Sequence, residues 1–161
     1  MGTAVYAVRS NRRGPWLDIT GPAAWAFRNA MEPLMYYFAE CRNRPFVWGE
    51  HDCVTFVATC LDLQHGTNYR QIVRSRFQCF GAGDYARLTK RIPLSERVTE
   101  IMGEPVSADK LKDGDLALIS NGRLPSLGIV IWPVVFSPSD EGLLPVTFDR
   151  VIRGWTACRT H

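Results

Sequence analysis

"GDLALISNGRLPSLGIVIW", residues 114–132, decides the class of fold. Gly114 to Ser120 and Ser126 to Trp132 are apolar, β-branched runs, and the "NGR" between them has turn chemistry, so the stretch reads as two strands of a hairpin. Downstream, "SPSDEG" reads as a loop, and "LLPVTF" and "VIRGWTA" as one or two further strands. Upstream the period changes from two to about 3.6. Phe27, Met31, Leu34, Met35, Phe38 and Cys41 recur at spacings of three and four over Ala23 to about Arg42. Pro33 predicts a break or kink there, with the better helix running from Pro33 to Arg42. Helices first and an antiparallel sheet after them give an α+β fold.

A second helix is expected from Cys53 to about Gln64, with Asp52 as its N-cap and His65-Gly66 as its stop. Val54, Val57 and Leu61 share one face of it, with Phe56, Cys60 and Leu63 alongside. A polar connection follows. "GAGDYARLTKR" suggests a short helix starting near Gly83 or Asp84. "PLSERVTEIMG" gives a clearer one, capped by Ser95 and closed by Gly103.

The chain has 161 residues, enough for one domain with a proper core. Apolar residues make up 46% and charged residues 22%, and the formal charge is only +3, which gives no reason to invoke nucleic acid. The basic cluster "RSNRR", Arg9 to Arg13, reads as a solvated arm. Residues 1–21 hold turn signals and no sustained period, so they are read as an N-terminal arm ahead of a domain over 22–161. No segment approaches the ~20 apolar residues of a spanning helix, and no secretory signal pattern opens the chain. The protein is expected to stay where it is made, or to leave as part of something larger. Of the five cysteines, 41, 53, 60, 79 and 158, none forms a Cys-x-x-Cys pair. A disulfide framework, a zinc site and an iron–sulfur cluster all lack their spacing signatures, so no cofactor is expected.

Chemistry concentrates in "PFVWGEHDCVTF", Pro45 to Phe56. A thiol in the first turn of a helix meets unpaired N–H groups and the positive end of the dipole, which favour the nucleophilic thiolate. Cysteine is equally at home as a small buried apolar residue, so Cys53 stands open between nucleophile and core. A nucleophile wants a base within hydrogen-bond reach. His51 is two residues away. His65 lies at the far end of the same helix, roughly 18 Å along at about 1.5 Å per residue. His161 is the last residue. Trp48 and Phe46 read either as the lining of a substrate groove or as anchors of the loop. Gly49 is expected to supply a backbone angle that other residues resist.

The order of a helix, "RPFVWGEHDCVTFVATCL", a distant "DGDLALI", "SLGIVIW" and a terminal "GWTA" resembles a small phage-encoded family. Its members are similar to NlpC-type, papain-like cell-wall endopeptidases and are found at siphophage tail tips. The resemblance spans about residues 30–158. It implies a papain-like fold with Cys53 as nucleophile at the head of a helix packed on a sheet. Gly114, Asp115 and Leu116 match the Gly-Asp-Leu that starts the sheet. Ser126, Leu127, Gly128 and Ile129 match a strand that opens with the basic histidine, followed by Val-Gly-Ile; a further polar residue orients that histidine. Serine does not accept a proton at neutral pH as imidazole does. Either His51 or Asp52 takes over as base, or the site is inactive.

The resemblance therefore implies a tail-tip or hub component on a degenerate peptidase fold. It would be assembled in the host cytoplasm, carried in the virion, and docked to hub and central fibre proteins through the arm and the loops around "WPVVFSPSDEG". Two alternatives stand beside it. One is an active peptidoglycan endopeptidase using Cys53 during genome entry; the other is a host-side thiol hydrolase with no virion role.

Overall fold

The computed structural model describes residues 22–122 and 124–157, and of residues 22–30 the backbone alone. The expected arm over residues 1–21, Cys158 and His161 lie outside them. The described chain is α+β: helices come first and a five-stranded antiparallel sheet follows.

Helix α1, Pro22–Cys41, runs through Pro33 without ending. A proline inside a helix removes one backbone bond and crowds the preceding turn. Here the turns after it bury Leu34, Phe38 and Cys41 almost completely, and each such apolar side chain contributes about 1.5–3 kcal/mol. Tertiary burial outweighs the local penalty, so the helix continues through Pro33 rather than breaking there.

Helix α2, Cys53–His65, is the central element, with Cys53, Val54, Phe56, Val57, Ala58, Thr59, Cys60 and Leu61 all buried. Leu63, read as flanking the buried face, is exposed instead. The helix ends where expected. Gly66 takes the left-handed conformation at φ 65°, and its N–H donates to the Asp62 carbonyl. The Asp62 carboxylate accepts from the backbone N–H groups of Tyr69 at 2.7 Å and Arg70 at 3.0 Å, at the start of α3, Tyr69–Arg76. That helix buries none of its residues, which is why the segment reads as a polar connection in the sequence.

Helices α4, Ala82–Arg91, and α5, Leu94–Met102, follow. Leu94, Val98 and Met102 form the buried stripe of α5. Ser95, expected as its cap, lies inside the helix, and the Pro93 carbonyl accepts the first N–H groups, from Glu96 and Arg97. Proline fixes φ near the helical value, which lets the helix start without a side-chain cap.

The sheet has the order β4-β3-β2-β1-β5, from β1 (Leu116–Asn121), β2 (Leu124–Ile131), β3 (Val134–Ser139), β4 (Gly142–Thr147) and β5 (Val151–Trp155). Strand alternation sends Leu116, Leu118, Leu127, Ile129 and Ile131 toward the helices. Ala117, Ile119, Val130, Val135 and Val146 form a smaller core on the other face. Away from its turn the central hairpin is covered on both faces, so Leu116–Ile119 and Leu127–Ile131 are apolar without alternation. The segment read as the loop "SPSDEG" is mostly strand: Ser137, Pro138 and Ser139 belong to β3, and its end pairs with the start of β4. Trp155 is fully buried, and its indole N–H donates to Thr99 at 3.3 Å, fastening β5 to α5. No helix among the described residues is long and apolar enough to cross a membrane.

Candidate functional site

The loop before α2 is built to present Cys53. Val47 and His51 pair as an isolated antiparallel bridge, with N–H···O distances of 3.1 and 2.8 Å. Between them Gly49 holds φ 78°, an angle that side-chain-bearing residues resist. Asp52 then clamps loop to helix. One carboxylate oxygen accepts from the Gly49 N–H at 2.9 Å and the other from the Thr55 N–H at 2.8 Å. The N-cap expected from the sequence is present, and Cys53 follows it as the first helical residue.

The sheet meets Cys53 where two strands part. Strand β2 pairs with β1 along Leu124–Ile129, but its pairing with β3 covers only Ile129–Ile131. Toward its start, β2 is therefore open on the β3 side. The opening is bridged by side chains. The Ser137 hydroxyl donates to the Leu127 carbonyl at 2.9 Å and lies 3.2 Å from the Ser126 hydroxyl. Ser126, the Leu127 backbone and the Tyr85 hydroxyl all act on the Cys53 thiol. Tyr85, from α4, also donates to the Pro125 carbonyl. The structure thus brings Cys53 and Ser126 together and adds two groups, Tyr85 and Ser137, that the sequence reading did not select.

The aromatic strip flanks this site. Trp48 packs edge-on to Phe46 with ring centres 4.8 Å apart, and its ring centre lies 5.4 Å from that of Tyr85. Tyr85 in turn meets Phe77, over which the Arg97 guanidinium stands at 5.3 Å. Trp48 is half-buried, so it anchors the loop while leaving part of its ring beside the site.

Burial dominates the electrostatics. Cys53 is 3% exposed, and that desolvation pushes its thiol above the ordinary range; the Asp52 charge adds to the rise, while the Leu127 backbone and the Ser126 and Tyr85 hydroxyls counter it. The helix N-terminus alone favours a thiolate, and burial outweighs it. Cys79 is pushed up to about 11, first by burial and then by Asp52, Asp84 and Cys53. Tyr85 is raised by the same combination of burial and negative neighbours.

Neither described histidine is bonded to the thiol. His51 is fully buried, its ring edge-on to Phe56 at 6.1 Å, and neither ring nitrogen has a hydrogen-bond partner, the Cys53 thiol included. Burial, with Arg44 adding to it and Asp52 opposing, lowers its pKa. His65 is exposed at the far end of α2. Both oxygens of Asp52 are taken by backbone N–H groups, which gives that carboxylate a capping role.

Gly114 and Asp115 serve the scaffold. Gly114 has φ 90°, an angle that side-chain-bearing residues resist, and a Cβ there would also displace the Gln64 amide, 2.2 Å away. The buried Asp115 carboxylate accepts from the N–H groups of Lys112 at 2.8 Å and Ala157 at 2.9 Å. The four described cysteines are free thiols. No three His, Cys, Asp or Glu side chains among the described residues group as a metal ion would require.

A family model described as a domain of unknown function, DUF6950, matches residues 27–157. The chain belongs to this family. No curated protein matches the chain. The DUF6950 match takes in all five strands and every residue of the Cys53 site, and it leaves out residues 1–26 and 158–161.

Proposed function

We propose that this DUF6950 chain is a bacteriophage tail-tip or hub component on a degenerate NlpC-type, papain-like scaffold, with a structural role in tail assembly and wall penetration. One observation carries the reading. At the head of α2 the Cys53 thiol meets a serine, Ser126, at the position where the resemblance puts the histidine base. A second hydroxyl, that of Ser137, lies 3.2 Å from the Ser126 hydroxyl. A thiol, two serines and a tyrosine offer no group that accepts a proton at neutral pH. The raised thiol agrees with a site that does not ionise. On this reading the protein acts by docking to hub and central fibre proteins in the virion, close to peptidoglycan.

The competing reading is an active endopeptidase with Cys53 as nucleophile. Its support is the placement of the thiol in the first turn of a 13-residue helix. Two measurements separate them. Mass spectrometry of purified particles is expected to find the protein, and its absence from them would remove the structural reading. Peptidoglycan incubated with the purified protein is expected to release no peptides; release that disappears in Cys53→Ala would establish the peptidase instead.

A further inference from the structure

Ser137 also forms part of a second feature, a cleft of about 250 Å³ between the β3–β4 ribbon and the end of β1. Leu144 and Val146 give it an apolar wall, and Asn121, Thr147 and Arg150 bring polar groups to it. All three of these polar residues are exposed. Among the described residues, the Arg150 guanidinium has no ion pair, and the side chains of Asn121 and Thr147 have no hydrogen bond. An unpaired planar guanidinium beside an amide and a hydroxyl, over an apolar wall, fits a carboxylate attached to a short apolar body.

We propose that this cleft binds the terminal carboxylate of a short peptide, with Arg150 as the charged anchor. Arginine presents two parallel N–H groups to the two carboxylate oxygens, and the Asn121 amide and Thr147 hydroxyl add neutral donors. The small aliphatic side chains of such a peptide would lie on Leu144 and Val146. The floor connects inward: Ser137 is bonded to the Leu127 carbonyl and stands 3.2 Å from Ser126, beside the thiol. A peptide held here would therefore lie against the back of the Cys53 site. The carboxylate site stands on the cleft alone; that its ligand is a peptide rests on the proposed scaffold.

The test uses the full chain, labelled with nitrogen-15, and two probes: N-acetyl-dialanine as the free acid and as the C-terminal amide. The acid is expected to shift the amide signals around Asn121 and Thr147, and to bind at least about tenfold more tightly than the amide. Arg150→Gln is expected to abolish that preference, and Arg150→Lys to restore only part of it, because an ammonium keeps the charge without the paired donors. Equal binding of acid and amide, an acid preference that survives Arg150→Gln, or no shift near Asn121 and Thr147 would each overturn the proposal. None of these outcomes bears on whether the protein is found in particles, so the two readings fail separately. Arg150 is exposed, so its replacement leaves the core intact.

Discussion

The Ser137 hydroxyl reaches the Leu127 carbonyl at 2.9 Å across a gap that backbone pairing has abandoned. A side chain thus supplies the bond that a β-ladder would otherwise make, and Ser137 is 2% exposed. Removing it strands a buried acceptor. Ser137→Ala is expected to destabilise the fold by about 1–3 kcal/mol. Urea unfolding of the two proteins measures this, and identical midpoints would show that the bond contributes nothing.

His51 gives stability a pH dependence of defined sign. Its folded pKa lies below its ordinary value of about 6.5, because burial and Arg44 disfavour the imidazolium. The unfolded chain therefore takes up the proton first as pH falls. The contribution is complete above about 6.5 and declines as pH drops from there toward the folded value. His51→Phe keeps a ring against Phe56 and removes two unpartnered nitrogens. That variant is expected to equal or exceed the parent in melting temperature at pH 7, and to lose less stability at pH 5. A parent whose melting point is flat over this range would contradict the assignment.

The Cys53 thiol should alkylate slowly at neutral pH, with a midpoint above the ordinary ~8.5. Ser126→His places an imidazole at the position now held by a hydroxyl beside the sulfur. It is expected to lower that midpoint and speed alkylation at pH 7, since an adjacent imidazolium favours the thiolate. Iodoacetamide kinetics across pH, with the labelled cysteine identified by mass spectrometry, decide it. An unchanged profile would mean that residue 126 does not face the thiol.

Asp52 has two partners, and they can be dissected. Asp52→Ala loses both the Thr55 and the Gly49 bond and is expected to cost about 1–2 kcal/mol. Asp52→Asn keeps one acceptor oxygen and should fall between the two. Thermal melts in the order Ala, Asn, parent would support the clamp, and any other order would not.

The parts of this fold legible in the sequence are those with local punctuation. Asp52 and Gly66 mark the two ends of α2, and the turn after Ser120 marks the hairpin. Helix α3 is not legible there because none of its residues is fully buried and its start is held by a carboxylate from the previous helix. Ser95 carries a capping signature, yet the preceding proline takes the position. "SPS" carries loop composition, and only its pairing with β4 makes it strand. The site divides along similar lines. Cys53 and Ser126 follow from resemblance to a known motif. Tyr85 reaches the thiol from α4, Ser137 reaches its neighbour Ser126 from β3, and neither local period nor spacing announces either approach.

The double use of Asp62 has a mechanical consequence. Its backbone carbonyl closes α2 through Gly66, while its carboxylate opens α3 through Tyr69 and Arg70. Fraying of the first helix would withdraw the seat of the second, so the two should exchange their amide protons with solvent as one cooperative unit. A helix with no buried side chain would then inherit protection from a neighbour that has many.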